Sequence, residues 1–162
     1  MKRSQRGFTL VEIMTVMAII SMLAALSVPN LLRMRVNANE AAAQATLRTI
    51  HTALTEYNGV QTPPNYPVNL TTLANANPPY ITQEIANNSR GSYFLLSDVE
   101  HIPGYKGYIF RYYRRNGNYT YEVAAIPADP GNTGTRYFML NASGNIMEVD
   151  QFTATGTPIG GN

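Results

Sequence analysis

FTLVEIMTVMAIISMLAALSVPNLL, residues 8–32, carries a single charged side chain, Glu12, in 25 positions. At ~1.5 Å per residue a helix of that length covers about 37 Å, more than the ~30 Å hydrocarbon core of a bilayer. Twelve of these residues are Leu, Ile, Val or Phe. Each favours insertion by roughly 0.3–0.6 kcal/mol, and the sum, on the order of 4–7 kcal/mol, outweighs one acidic residue near the end of the span. A core helix of a soluble domain would show a polar stripe, and none is visible. Pro29 has no amide donor and its ring clashes with the preceding turn, so the sequence predicts a kink or loosened turn there and not a stop.

Further along, the pattern changes from uniformly apolar to periodic. Ala43, Leu47, Ile50, Leu54 and Tyr57 recur every three or four residues, with Asn37, Glu40, Gln44, Arg48, His51 and Thr55 assigned to the opposite, polar face. Asn58 and Gly59 are good terminators. The sequence thus predicts one helix of about 50 residues and about 75 Å. Its first half, 8–32, is membrane-embedded and its second half, 33–58, is amphipathic and packed on a domain.

A globular head is expected over 59–150. Pro63, Pro64 and Pro67 mark a connection, followed by short helical pieces at Leu70–Ala76 and Ile81–Asn87. Four runs are rich in aromatic and β-branched residues: Tyr108–Arg114, Tyr119–Ile126, Arg136–Leu140 and Ile146–Val149. The breaks Asn116-Gly117-Asn118 and Ser143-Gly144-Asn145 are short and contain glycine, which favours hairpins and an antiparallel meander of three or four strands. Gln151–Asn162, rich in Gly, Thr and Pro, reads as a loose tail. The fold class is α+β.

Composition excludes several kinds of function. The 162 residues contain no cysteine, so disulfides, thiolate metal sites and cysteine nucleophiles are ruled out. The formal charge of +2 depends on Lys2, Arg3 and Arg6; without them nine Lys and Arg face ten Asp and Glu, a net charge of −1. That balance argues against a globally basic nucleic-acid-binding surface. Lys106, Arg111, Arg114 and Arg115 interleave with Tyr105, Tyr108, Tyr112 and Tyr113, a pattern that can hold single strands. Alternate strand residues point to opposite faces, however, and a half-buried, half-solvated strand explains the same residues. An enzyme is not indicated: His51 and His101 lack metal-ligand neighbours at helical spacing, and no G-x-S-x-G, phosphate loop or paired catalytic carboxylates occur.

At the start of the chain Lys2, Arg3 and Arg6 precede Gly7-Phe8-Thr9-Leu10-Val11-Glu12-Ile13, which opens directly into the apolar run. A basic segment before a span holds that end in the cytoplasm, although Arg33 and Arg35 on the far side reduce the bias. Glycine lets the backbone enter a narrow protease cleft. Glu12 is an ionisable group in a span, costing up to ~3 kcal/mol near the centre, and needs a partner. Cleavage after Gly7 would create one, because the α-amine of Phe8 is cationic at neutral pH.

These residues resemble the prepilin-type signal of type IV pilins and type II secretion pseudopilins. The resemblance implies a leader, residues 1–7, removed after Gly7 by a dedicated peptidase, methylation of the new terminus at Phe8, and polymerisation through the apolar helix. Glu12 would set register between subunits, and Pro29 falls where such helices commonly carry a proline. The implied partners are copies of the chain and related pilins, the prepilin peptidase and methyltransferase, and an inner-membrane assembly platform with its cytoplasmic ATPase. The implied location is the bacterial inner membrane, single-pass with the amino terminus cytoplasmic, and then a periplasmic or extracellular filament. No cofactor is implied, except that some pseudopilins hold calcium near the loop where Asp129 and Asn132 lie; no EF-hand pattern is present and an ordinary turn explains the same residues. Lack of cysteine shifts weight from disulfide-closed pilins towards major pseudopilins or cysteine-free pilins. Two plainer readings compete: a secretory signal cut after Ala25-Leu26-Ser27 and an uncleaved signal anchor. The first must accommodate Glu12 and Pro29, and the second leaves the order from Gly7 to Glu12 unexplained.

Overall fold

The computed structural model describes residues 7–90, 104–152 and 158–159. They fall into two compact units divided between Arg35 and Val36. Helix α1, Leu10–Val60, contributes to both and runs through Pro29 without interruption.

In the first unit every described residue from Gly7 to Arg35 is exposed. This stretch of α1 is long and apolar enough to cross a membrane. Its hydroxyls bond back to their own helix: Ser21 Oγ donates to the Met17 carbonyl at 2.8 Å and Ser27 Oγ to that of Leu23 at 2.9 Å. Such back-bonding satisfies a polar group that lipid cannot.

The second unit is α+β. Here α1 buries Glu40, Ala43, Thr46, Leu47, Ile50, Ala53 and Leu54, a stripe at three- and four-residue spacing. Two short helices follow, α2 (Leu70–Ala74) and α3 (Gln83–Asn87). Asn69 caps α2 by accepting the Thr72 amide at 3.0 Å. Strands β2 (Tyr108–Arg115), β3 (Thr120–Pro127), β4 (Tyr137–Asn141) and β5 (Ile146–Val149) form an antiparallel meander; β1 (Ser89–Arg90) adds to its edge parallel to β2. Asn116, Gly117 and Asn118 join β2 to β3 with φ of 48°, 63° and 80°, a left-handed turn suited to glycine and asparagine.

Alternation along the strands divides the core in two. Tyr108, Phe110 and Tyr112 with Tyr121, Val123 and Ala125 share one cluster with Leu47, Ile50 and Leu54 of α1. Tyr113, Ala124, Ile126, Met139 and Val149 form a second cluster on the reverse face.

Two expectations are corrected. Six consecutive residues of β2, Tyr108–Tyr113, are buried, so this strand is not half solvated: both its faces are covered, as the two clusters require. Glu40 is buried and not on a solvated polar face, because the β3–β4 connection closes over it. Within the tail, Gln151–Phe152 (β6) and Pro158–Ile159 (β7) pair antiparallel. Phe152 and Ile159 favour strands, and Pro158 is tolerated in a two-stranded ladder with free edges. The remainder of the tail, and His101, lie outside the described residues.

Candidate functional site

Gly7 and Phe8 precede the first turn of α1, and both are exposed. A Cβ added to Gly7 would meet nothing within 4 Å. Among the described residues nothing therefore calls for glycine there.

Thr9 and Glu12 open the helix together. The Thr9 amide donates to Glu12 Oε2 at 2.7 Å, the Thr9 hydroxyl donates to the same oxygen at 2.9 Å, and the Glu12 amide reaches back to Thr9 Oγ1 at 3.3 Å. This is a reciprocal capping box, in which a threonine and a glutamate three residues later each satisfy an amide that the first helical turn leaves open. Thr9-Leu10-Val11-Glu12 is the spacing that announces it, a signal in the sequence that the surrounding apolar run obscures. The Thr15 hydroxyl then bonds to the Glu12 carbonyl at 2.9 Å. Pro29, the remaining apolar-half residue singled out from the sequence, lies well inside α1 and apart from this first turn.

The second unit holds a polar constellation that sequence reasoning misses. Glu40 is only 2% exposed. Its Oε1 accepts the Thr135 amide at 2.9 Å, the Thr135 hydroxyl at 2.9 Å and the Arg136 amide at 3.2 Å, while Oε2 pairs with Arg136 Nε at 2.6 Å. Burial pushes the carboxyl pKa up, but hydrogen bonds from Thr135 and Arg136 outweigh it, and the net direction is down. Arg136 also reaches Glu148 at 3.6 Å and lies over the Phe138 ring. Beside it Asn39 Nδ2 donates to the Thr133 carbonyl at 2.8 Å, and the Tyr108 hydroxyl donates to that of Arg136 at 2.8 Å. Gly134 is required for this closure, since a Cβ there would overlap the Tyr108 hydroxyl. Together these bonds tie the β3–β4 connection to α1.

Asp129 and Asn132 lie in that connection and form a turn. Asn132 Nδ2 donates to Asp129 Oδ2 at 2.9 Å, and the Asp129 carbonyl accepts the amides of Asn132 and Thr133 at 3.1 and 2.9 Å. The turn supplies one carboxylate, and its Oδ2 already accepts an amide donor. Among the described residues no three His, Asp or Glu side chains gather to hold a metal.

The interleaved basic and aromatic residues do not form a stacking platform. Tyr108 and Tyr112 belong to the helix-facing core and Tyr113 to the reverse cluster; the Tyr112 hydroxyl donates to the Pro67 carbonyl at 3.0 Å. Burial raises the pKa of Tyr108 and Tyr112. Arg111 is buried, Arg115 pairs with Glu122 at 3.0 Å, and Lys106 lies over its neighbour Tyr105.

Comparison with known proteins singles out the opening segment. The family model of the prokaryotic N-terminal methylation motif matches residues 2–28. A type IV major pilin protein, PilA of Myxococcus xanthus (strain DK1622), is 42% identical over 48 residues. That segment covers 30% of this chain and 22% of the relative, so the chain spans about a fifth of that relative's length. No solved structure matches.

Proposed function

We propose that this chain, which carries the prokaryotic N-terminal methylation motif, is the precursor of a structural subunit of a type IV filament, a pilus or a secretion pseudopilus. The observation that carries this reading is the motif at residues 2–28 opening a helix whose apolar residues, from Phe8 to Met34, are all exposed. A surface of that kind is stable only in lipid or against other protein, and polymerisation through the helix supplies the second environment. The similarity to a type IV major pilin supports the same direction.

On this reading a peptidase removes residues 1–7, the Phe8 amine is methylated, and the chain waits in the inner membrane as a single span. A platform protein and a cytoplasmic ATPase then drive its extraction into the filament. In the filament the Glu12 carboxylate is neutralised by a cationic amine of another copy, which sets register and removes the cost of an isolated charge among apolar helices.

The test is filament yield by electron microscopy of sheared surface fractions and of the periplasmic and envelope fractions from cells making wild type or Glu12→Ala. The variant is expected to be cleaved normally and to lower filament yield by about tenfold or more. Undiminished yield would remove the role given to Glu12, and wild-type cells without filaments of this chain would remove the reading.

A further inference from the structure

We infer that the free edge of β5 and the cleft beside it form a docking groove for an extended peptide segment of another protein, one that carries an acidic side chain. Strand β5 closes one end of the sheet, and among the described residues its main chain bonds only to β4. The Asn141 amide donates to the Asn145 carbonyl at 3.1 Å. Hydrogen-bonded and non-bonded pairs alternate along an antiparallel ladder. The pairs Met139↔Met147 and Tyr137↔Val149 are therefore the bonded ones, and the amides and carbonyls of Ile146 and Glu148 point outwards from the edge. An added strand satisfies such groups.

Ile146 and Glu148 also line a cleft of about 570 Å³, shared with Gln44 and Arg48 of α1 and with the buried Phe138. Both ends of β5 are held in place. The Asn141 side chain accepts the amides of Ser143 and Asn145, each at 3.1 Å. That turn lies so close to α1 that a Cβ at Gly144 would approach His51 Nε2 to 2.9 Å. Further along, Arg136 reaches Glu148 at 3.6 Å and Glu40 at 2.6 Å. A groove already in place loses little freedom when a segment docks.

Charge decides what kind of segment fits. Glu148 has Arg136 near it, whereas among the described residues neither the Arg48 guanidinium nor the Gln44 amide has a partner. The unmatched charge in the cleft is positive, and a carboxylate side chain facing the cleft completes it. Main-chain bonds to Ile146 and Glu148 hold the segment, and Arg48 selects it.

The experiment is fluorescence anisotropy with full-length protein in detergent. The probes are labelled hexapeptides of alternating threonine and valine, blocked at both ends, with one glutamate placed in turn at each central position. At least one is expected to bind saturably with a Kd of about 100 μM or tighter. Its glutamine counterpart should bind about threefold to fivefold more weakly. Arg48→Gln should abolish that preference and leave the affinity of the glutamine peptide unchanged. N-methylation of the peptide's main-chain amides should weaken binding about tenfold or more. Absence of saturable binding by every member, equal affinity of glutamate and glutamine peptides, or a preference that survives Arg48→Gln would each overturn the inference. Undiminished binding of the N-methylated peptides would show a site for the carboxylate alone and would overturn it as well. So would self-association of the full chain that Arg48→Gln abolishes, because a second copy would then occupy the groove.

Discussion

Residues 10–35 and residues 36–60 of α1 share one backbone hydrogen-bond ladder but differ in what their side chains meet. The first stretch buries nothing within the chain, although most of its residues are aliphatic or methionine. The second buries seven side chains, and two of them, Glu40 and Thr46, are polar. Hydrophobicity alone therefore does not decide what this protein folds around. The more apolar stretch contributes no core, and the less apolar one anchors the head because its spacing matches a sheet and its carboxylate finds Thr135 and Arg136. The two acidic residues follow the same division. Among the described residues Glu12 bonds only within its own first turn, whereas Glu40 draws on a loop 95 residues away in sequence.

The strongest way to break that contrast is to remove one side of it. A fragment beginning at Val36 is expected to fold as a soluble monomer with a cooperative thermal transition, while losing membrane partition and assembly entirely. An unfolded or aggregated fragment would show that the apolar stretch contributes to the head after all.

A gentler comparison places the same truncation in both stretches. Leu47→Ala, at a fully buried position, is expected to destabilise the head by about 3 kcal/mol. Leu23→Ala, in the exposed stretch, is expected to change it by less than about 0.5 kcal/mol. Denaturant melts of the full chain in detergent measure both, and equal effects would erase the distinction.

Glu40 sharpens the contrast through pH. Its folded pKa is lowered, so the ionised carboxylate is favoured in the folded state, and the stability it contributes is present above the unfolded value of ~4.3. That contribution is lost as pH falls through the folded pKa. Glu40→Gln is expected to cost about 2 kcal/mol at about pH 7, since Arg136 is partly solvated and the carboxylate's other bonds are to neutral donors. The gap from wild type should shrink as pH falls below about 4. A gap that stays the same between neutral pH and about pH 3 would mean the charge contributes nothing.

Much of this is legible in the sequence, for reasons that differ by region. A helix long and apolar enough to cross a membrane needs only composition and length to be read, and the motif from Gly7 to Glu12 is contiguous. The meander strands are aromatic or β-branched runs separated by turns whose glycine and asparagine accept positive φ. The clamp on Glu40 is not legible, because its partners Thr135 and Arg136 reach α1 only after the β3–β4 connection folds over it. The coverage of both faces of β2 is likewise invisible, since Tyr108, Tyr112 and Tyr113 look alike in sequence but belong to different clusters. Strand β1 is two residues long, too short for any periodicity to mark it. Thr9 lies between these cases: its spacing to Glu12 is a recognisable local signal, set inside a stretch whose apolar character dominates the reading.

The most direct test of the filament account is mass spectrometry of the amino-terminal peptide of the protein isolated from its native cells. A chain that begins at Phe8 with a methyl group on its amine is expected. A chain beginning at Val28, or one retaining Met1, would contradict it.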